Sequence, residues 1–144
     1  MASLLFVCLG NICRSPMAEA IAAHRAPELT VDSAGTIATH AGEPADPRTM
    51  AVLRKHGIPY AGRARQVTRE DVDRFDWVLA MDRSNRARLL ELFGPDRARS
   101  VRLVLEPLGE DLEVADPYYG GPDGFDRCYD QLDQAIQAWV RRSA

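Results

Sequence analysis

The chain has 144 residues and a mass of 16.0 kDa, enough for one sizeable core but not for two, so a single domain spanning 1–144 is expected. Apolar residues at 46% and charged residues at 27% match ordinary soluble globular proteins, which excludes the disordered and membrane-embedded classes. A formal charge of −3 and a pI near 5.6 exclude a general attraction to nucleic acid or to anionic membranes, so any anion site must be local.

The apolar run Leu4 to Val7 is too short for a signal h-region and has no basic segment before it. Three cysteines, an odd number in a chain that needs no staples, point to thiols kept reduced, and the expected compartment is the cytoplasm. Ser3 to Cys8 reads as a buried strand. Pro16 to Arg25 reads as a helix with Ser15 as N-cap and proline at its first position. Thr30 to Ala34 is a second strand, Gly35 to Ala45 a loop, and Asp46-Pro47 opens a helix that stops near Gly57. Thr68-Arg-Glu-Asp71 is a capping-box signal for a short helix. Asp76 to Met81 reads as a third strand, followed by a helical stretch to Phe93 and the stop Gly94-Pro95. Val101 to Leu105 is the fourth strand, and Glu106 to Gly124, rich in Pro, Gly and Asp, is a long loop. Phe125 to Arg142 closes the chain as a helix whose apolar spacing places Cys128 in the core. Alternating strands and helices imply an α/β fold, a parallel sheet with helices on both faces and sites at the carboxyl ends of the strands.

Cys8-Leu9-Gly10-Asn11-Ile12-Cys13-Arg14-Ser15 falls between the first strand and the first helix. A turn of backbone N–H groups and a helix N-terminus there suit an anion. Those groups, with Arg14, stabilise a Cys8 thiolate and make it a nucleophile at neutral pH. The Arg14 fork can hold two phosphate oxygens while sulfur attacks opposite the leaving group. Gly10 and Asn11 tolerate left-handed backbone, and Ser15 either caps the helix or donates to the Cys8 sulfur. The bare Cys-x5-Arg spacing is weak, and its position between strand and helix carries the reading. A leaving alkoxide or phenolate needs a proton, and Asp116, in the long loop after the fourth strand, emerges on the same sheet edge as Cys8. Tyr118 and Tyr119 could wall a slot for a flat aromatic group.

Taken together, Cys8 to Glu19, Asp32-Ser-Ala-Gly-Thr36, Pro44 to Arg48, Ala64 to Thr68, Met81-Asp82 and Asp116 to Gly120 closely resemble the low-molecular-weight protein tyrosine phosphatase family. The resemblance implies a four-stranded parallel sheet, no metal and no organic cofactor, and two-step hydrolysis through a phosphocysteine. It implies Cys8 as nucleophile, Arg14 as phosphate clamp and Asp116 as general acid, then base. Asn11, Ser15 and Ser33 match the positions that hold the loop open, and Cys13 matches the partner for a reversible disulfide with Cys8. Two departures stand out. Ile37-Ala-Thr39-His40 replaces an aromatic common in the family, so one wall of the slot is either missing or supplied by His40, and Gly62 stands where many members carry a His that supports the loop network. Ile12 resembles the tyrosine-directed members, whereas threonine marks the phosphoarginine-directed branch.

The expected substrate is therefore a phosphotyrosine-bearing protein or a small aryl phosphate, and the expected state a monomer. A phosphoarginine phosphatase is one alternative, and the nearest rival enzyme outside the phosphatases is an arsenate reductase. A thiol-dependent arsenate reductase of the same fold would need relay cysteines that the neighbours of Met81-Asp82 lack. A non-catalytic phosphate-binding module would need neither Cys8 nor Asp116. His24, His40 and His56 show no metal spacing, and Arg63, Arg65, Arg69, Arg97, Arg99 and Arg102 read as a basic rim or a solvated face.

Overall fold

The computed structural model describes residues 2–109, 111–121 and 123–143; Glu110 and Pro122 of the expected long loop lie outside the described residues, as do the two chain ends. Four parallel strands, β1 (Ser3–Cys8), β2 (Thr30–Gly35), β3 (Trp77–Ala80) and β4 (Val101–Leu103), form one sheet in the order β2-β1-β3-β4. The helices are α1 (Arg14–Arg25), α2 (Pro47–Lys55), α3 (Asp71–Arg74), α4 (Arg83–Phe93) and α5 (Asp123–Ser143).

β1 is apolar at every position from Leu4 to Cys8 because both of its faces are covered. Leu4, Phe6 and Cys8 face a core with Met17 and Ile21 of α1, Leu53 of α2 and Leu132, Ile136 and Trp139 of α5. Leu5 and Val7 face a second core with Leu89 and Phe93 of α4. Each buried Leu or Phe contributes about 1.5–3 kcal/mol of transfer free energy. The indole of Trp139 is wholly buried and donates to the Val104 carbonyl at 2.7 Å, so its one polar group is satisfied.

Several boundaries differ from the sequence reading, most by one residue, and three of the differences have a physical reason. α1 begins at Arg14, with no side-chain cap from Cys13, so Ser15 lies inside the first turn and not before it. β4 pairs only to Leu103, although Val104 and Leu105 stay buried, since apolar pattern reports burial and not ladder pairing. α5 starts at Asp123, because acidic Asp123 and Asp126 suit the positive end of the helix dipole before the apolar stripe begins. Within the expected long loop, Glu106–Leu108 and Pro117–Tyr119 form single 3-10 turns.

The order β2-β1-β3 means that the chain leaves β1 toward one side and returns on the other. The crevice at the carboxyl end of β1 is thus the switch point at which α/β folds place ligands. Parallel strands bring the segments after β1, β2, β3 and β4 to that edge. A buried ion pair locks one of them: Arg65 grips Asp71 with two bonds of 3.0 and 3.1 Å and reaches Asp32 at 3.1 Å. Burial alone would raise the Asp71 carboxyl, but Arg65 and the Thr68 N–H at 2.8 Å outweigh it and hold it below the ordinary range. A lowered carboxylate contributes stability above its unfolded pKa and loses it as pH falls through the folded one. Asp71→Asn should therefore cost roughly 2 kcal/mol at neutral pH, with the difference from wild type narrowing as pH falls below the ordinary carboxylate range. Urea unfolding of both proteins at pH 7 and pH 3 checks this; an equal difference at both would contradict it.

Candidate active site

The loop from Leu9 to Cys13 is held by its outward-facing carbonyls. Cys8 O accepts from Thr36 N at 2.9 Å, Leu9 O from Ile37 N at 3.2 Å, Ile12 O from Asp46 N at 2.8 Å and Cys13 O from Thr49 Oγ1 at 3.2 Å. A planar trans peptide carries its C=O and the next N–H on opposite sides, so carbonyls fixed outward aim the following N–H groups inward. Asn11 takes the left-handed conformation at φ 59°, and Gly10 does not. Gly10 instead supplies room, since a Cβ there would meet the His40 ring at 3.0 Å. Gly35 does the same from β2, where a Cβ would lie 2.8 Å from Leu9 O.

Beneath the loop, the Asn11 amide has one orientation. Its Oδ1 accepts from Arg65 N at 3.0 Å, so Nδ2 must face Ser15 Oγ at 2.8 Å and Ser33 Oγ at 3.0 Å. Ser15 thus accepts from Asn11, and its own proton has two takers, Cys8 Sγ at 3.0 Å and the Ala34 carbonyl at 3.5 Å, of which the sulfur contact is the shorter. Asn11 N donates to the same sulfur at 3.3 Å. Of the two roles read for Ser15 in the sequence, the contact with sulfur is the one formed. Asn11, Ser15 and Ser33 are all buried, under the loop and not in its mouth.

Arg14 is 3% exposed, and its Nη1 is held by Asp82 Oδ2 at 2.8 Å and the Val114 carbonyl at 2.9 Å. Burial alone would weaken its charge; Cys8 and Asp82 outweigh that and push its pKa up. Nη2 lies 3.7 Å from Asp116 Oδ2, and Asp116 Oδ1 accepts from Tyr118 N at 3.1 Å. A pocket of about 130 Å³ opens here, with Cys8, Cys13 and Arg14 among the loop residues lining it, Asp116 at the side, and Ile12, Ile37, His40, Tyr118 and Tyr119 as further lining. All four expected slot residues thus border one cavity. His40 Nδ1 is 3.0 Å from Glu43 Oε2, which sets its ring over Gly10. Arg48, anchored on Asp46, donates to the Tyr118 carbonyl at 3.1 Å and stacks on the Tyr118 ring at 5.1 Å. Tyr119 is 90% exposed.

Asp82, Glu19 and Tyr60 join the site without having been singled out for a role in the sequence. Asp82 carried a signal, being the N-cap of α4 through Asn85 N at 2.7 Å, but its second oxygen meets Arg14 only through tertiary folding. None of the six arginines read as a possible rim lines the pocket: Arg65, Arg97 and Arg102 pair with Asp71, Asp73 and Glu106. His56 caps α2 and stacks on Tyr129 at 3.8 Å.

Cys13 and Cys128 are both free and buried. Burial, then the Asp46 charge, pushes the Cys13 thiol up to about 12, and burial pushes Cys128 up to about 12. At neutral pH both are protonated and poor nucleophiles. Brief iodoacetamide treatment of the native protein at pH 7 should leave both unlabelled in peptide mass spectra; prompt labelling of Cys13 would contradict that picture.

Residues 3–143 match the family described as low molecular weight phosphotyrosine protein phosphatase. A relative so named from Schizosaccharomyces pombe is 42% identical over 151 residues, with 98% of this chain and 96% of the relative covered. A protein tyrosine phosphatase from Entamoeba histolytica, solved with Hepes in its active site, superposes with a TM-score of 0.90 at 36% identity, covering 99% of this chain and 96% of that one. Vibrio vulnificus Wzb in complex with benzylphosphonate gives a TM-score of 0.90 at 28% identity, covering 98% of each chain. With a family match over residues 3–143 and this extent of identity and coverage, the chain belongs to the low molecular weight phosphotyrosine protein phosphatase family, a family of hydrolases.

Proposed function

We propose that the protein hydrolyses phosphotyrosine and small aryl phosphates through a phosphocysteine on Cys8. The observation that carries the reading is one pocket in which a sulfur with two donors, a buried guanidinium and a carboxyl meet beneath aromatic walls. In the first step the Cys8 thiolate forms an S–P bond as the P–O bond to the aryl group breaks. The Asp116 carboxyl passes its proton to the departing phenolate, while Arg14 and the inward N–H groups hold the other three phosphoryl oxygens. In the second step the Asp116 carboxylate takes a proton from water, the water oxygen bonds to phosphorus, and the S–P bond breaks to return the thiolate and release inorganic phosphate. Ser15, donating to sulfur, stabilises the thiolate as the leaving group of that second step.

Ile12, Ile37 and the Tyr118 ring favour a flat aromatic leaving group over a guanidinium, and benzylphosphonate on Wzb is a ligand of that shape. Cys128, on the buried face of α5 and held protonated by burial, is poorly suited to relay a disulfide as an arsenate reductase requires. Cys13 remains the proposed resolving partner for oxidised Cys8, and a reducing compartment is the setting in which both stay thiols.

Hydrolysis of an aryl phosphate and of phosphotyrosine and phosphoarginine peptides, without added metal and with reductant, tests the reading. Cys8→Ser should be inactive, Asp116→Asn slower by about 10²–10³-fold, and phosphotyrosine the preferred peptide. Turnover retained by Cys8→Ser, or preference for phosphoarginine, would overturn the mechanism or the substrate respectively.

A further inference from the structure

The chain of hydrogen bonds under Cys8 does not stop at Ser33. Ser33 Oγ, which accepts from Asn11, spends its own proton on Glu19 Oε1 at 2.6 Å. Tyr60 Oη donates to that same oxygen at 2.9 Å. Tyr60 packs against the main core from the segment after α2, and a Cβ on Gly62 would lie 2.3 Å from its hydroxyl. Glycine at 62 is thus what leaves the phenol its seat, and the loop support missing from position 62 in the sequence enters from position 60.

We infer that Tyr60 is a positioning residue for Cys8: with Gly62 making room, its hydroxyl holds Glu19 as the acceptor that takes the Ser33 proton, which leaves Ser33 an acceptor for the Asn11 amide and so keeps that amide on Ser15, the hydroxyl that faces the sulfur. The inference rests on the phosphatase reading for its catalytic consequence, but not for its effect on the thiol. Each link has one direction. Arg65 N fixes the Asn11 amide, the amide makes Ser15 and Ser33 acceptors, and Ser33 can accept only if its proton has a taker in Glu19. Glu19 sits among Asp32 and Arg65 as well as its two donors; burial raises its pKa, and Ser33 and Tyr60 oppose that rise. Without the phenol proton Glu19 loses one of the three groups, Ser33, Tyr60 and Arg65, that favour its charged form. Once neutral it offers Ser33 a proton in place of taking one. Ser33 then turns its proton against Asn11 Nδ2, and the grip on Ser15 loosens.

The rate of Cys8 alkylation by iodoacetamide across pH reads the thiol directly, and aryl phosphate turnover and Tm are read on the same samples. Tyr60→Phe, Gly62→Ala, Glu19→Gln and the Tyr60→Phe/Glu19→Gln pair are compared with wild type. Tyr60→Phe should move the alkylation midpoint up by about half a pH unit or more and lower kcat several-fold with little change in KM. Gly62→Ala, which keeps the phenol but displaces its hydroxyl, should do the same. In the Glu19→Gln background Tyr60→Phe should add nothing, since coupled residues are not additive. An unmoved midpoint in Tyr60→Phe, or a full additional shift in the double variant, overturns the inference. A midpoint shift in an enzyme whose wild type turns over no phosphate ester supports the role of Tyr60 and overturns the phosphatase reading instead.

Discussion

A single asparagine in the left-handed region sets the shape of the site. Asn11, at φ 59° and 2% exposed, turns the chain between β1 and α1 and spends its side chain on Ser15, Ser33 and the Arg65 N–H. Asparagine suits the position twice over, since it tolerates the left-handed backbone and carries both donors and an acceptor. Were the amide absent, the backbone turn would lose its anchor and the Ser15 hydroxyl, 3.0 Å from Cys8 Sγ and 3.5 Å from the Ala34 carbonyl, would lose the donor that fixes its oxygen. The loop's conformation and the polarity offered to Cys8 are therefore one constraint.

Arg14 joins that loop to the opposite side of the crevice. Its charge is taken almost wholly out of water, which is tolerable because Asp82 and the Val114 carbonyl satisfy one end of the fork. The other end lies toward Asp116, so the guanidinium stands between a fixed partner and the proposed proton carrier. Parallel strands make this possible: the segments following β1, β3 and β4 must come out at one edge, and Arg14, Asp82 and Asp116 belong one to each.

Local pattern carried much of this. The all-apolar run of Leu4 to Cys8 reads as a strand buried on both faces, and the alternation of strands and helices implied the parallel sheet that brings Asp116 round to Cys8. What pattern could not carry was direction. Ser15-Pro16 reads as a helix start, yet α1 begins at Arg14, because the loop's tie through Cys13 O to Thr49 and Met17 brings the first turn two residues earlier. Gly10 and Asn11 both permit a left-handed turn, and only the fit of His40 above Gly10 separates their jobs. Tyr60 had no local signal at all: its partner Glu19 is 41 residues away, and Gly62 read as a loss until its Cβ direction was known.

The central claim is a covalent one, that phosphate passes through the Cys8 sulfur. Mixing the protein with excess aryl phosphate, quenching within milliseconds and mapping phosphorylated peptides by mass spectrometry under conditions that preserve phosphothioesters tests it most directly. The account predicts phosphate on the peptide that contains Cys8, accumulating further in Asp116→Asn if water attack is slowed more than phosphoryl transfer. Steady product release with no phosphorylated Cys8 peptide at any quench time, in wild type or variant, would contradict it.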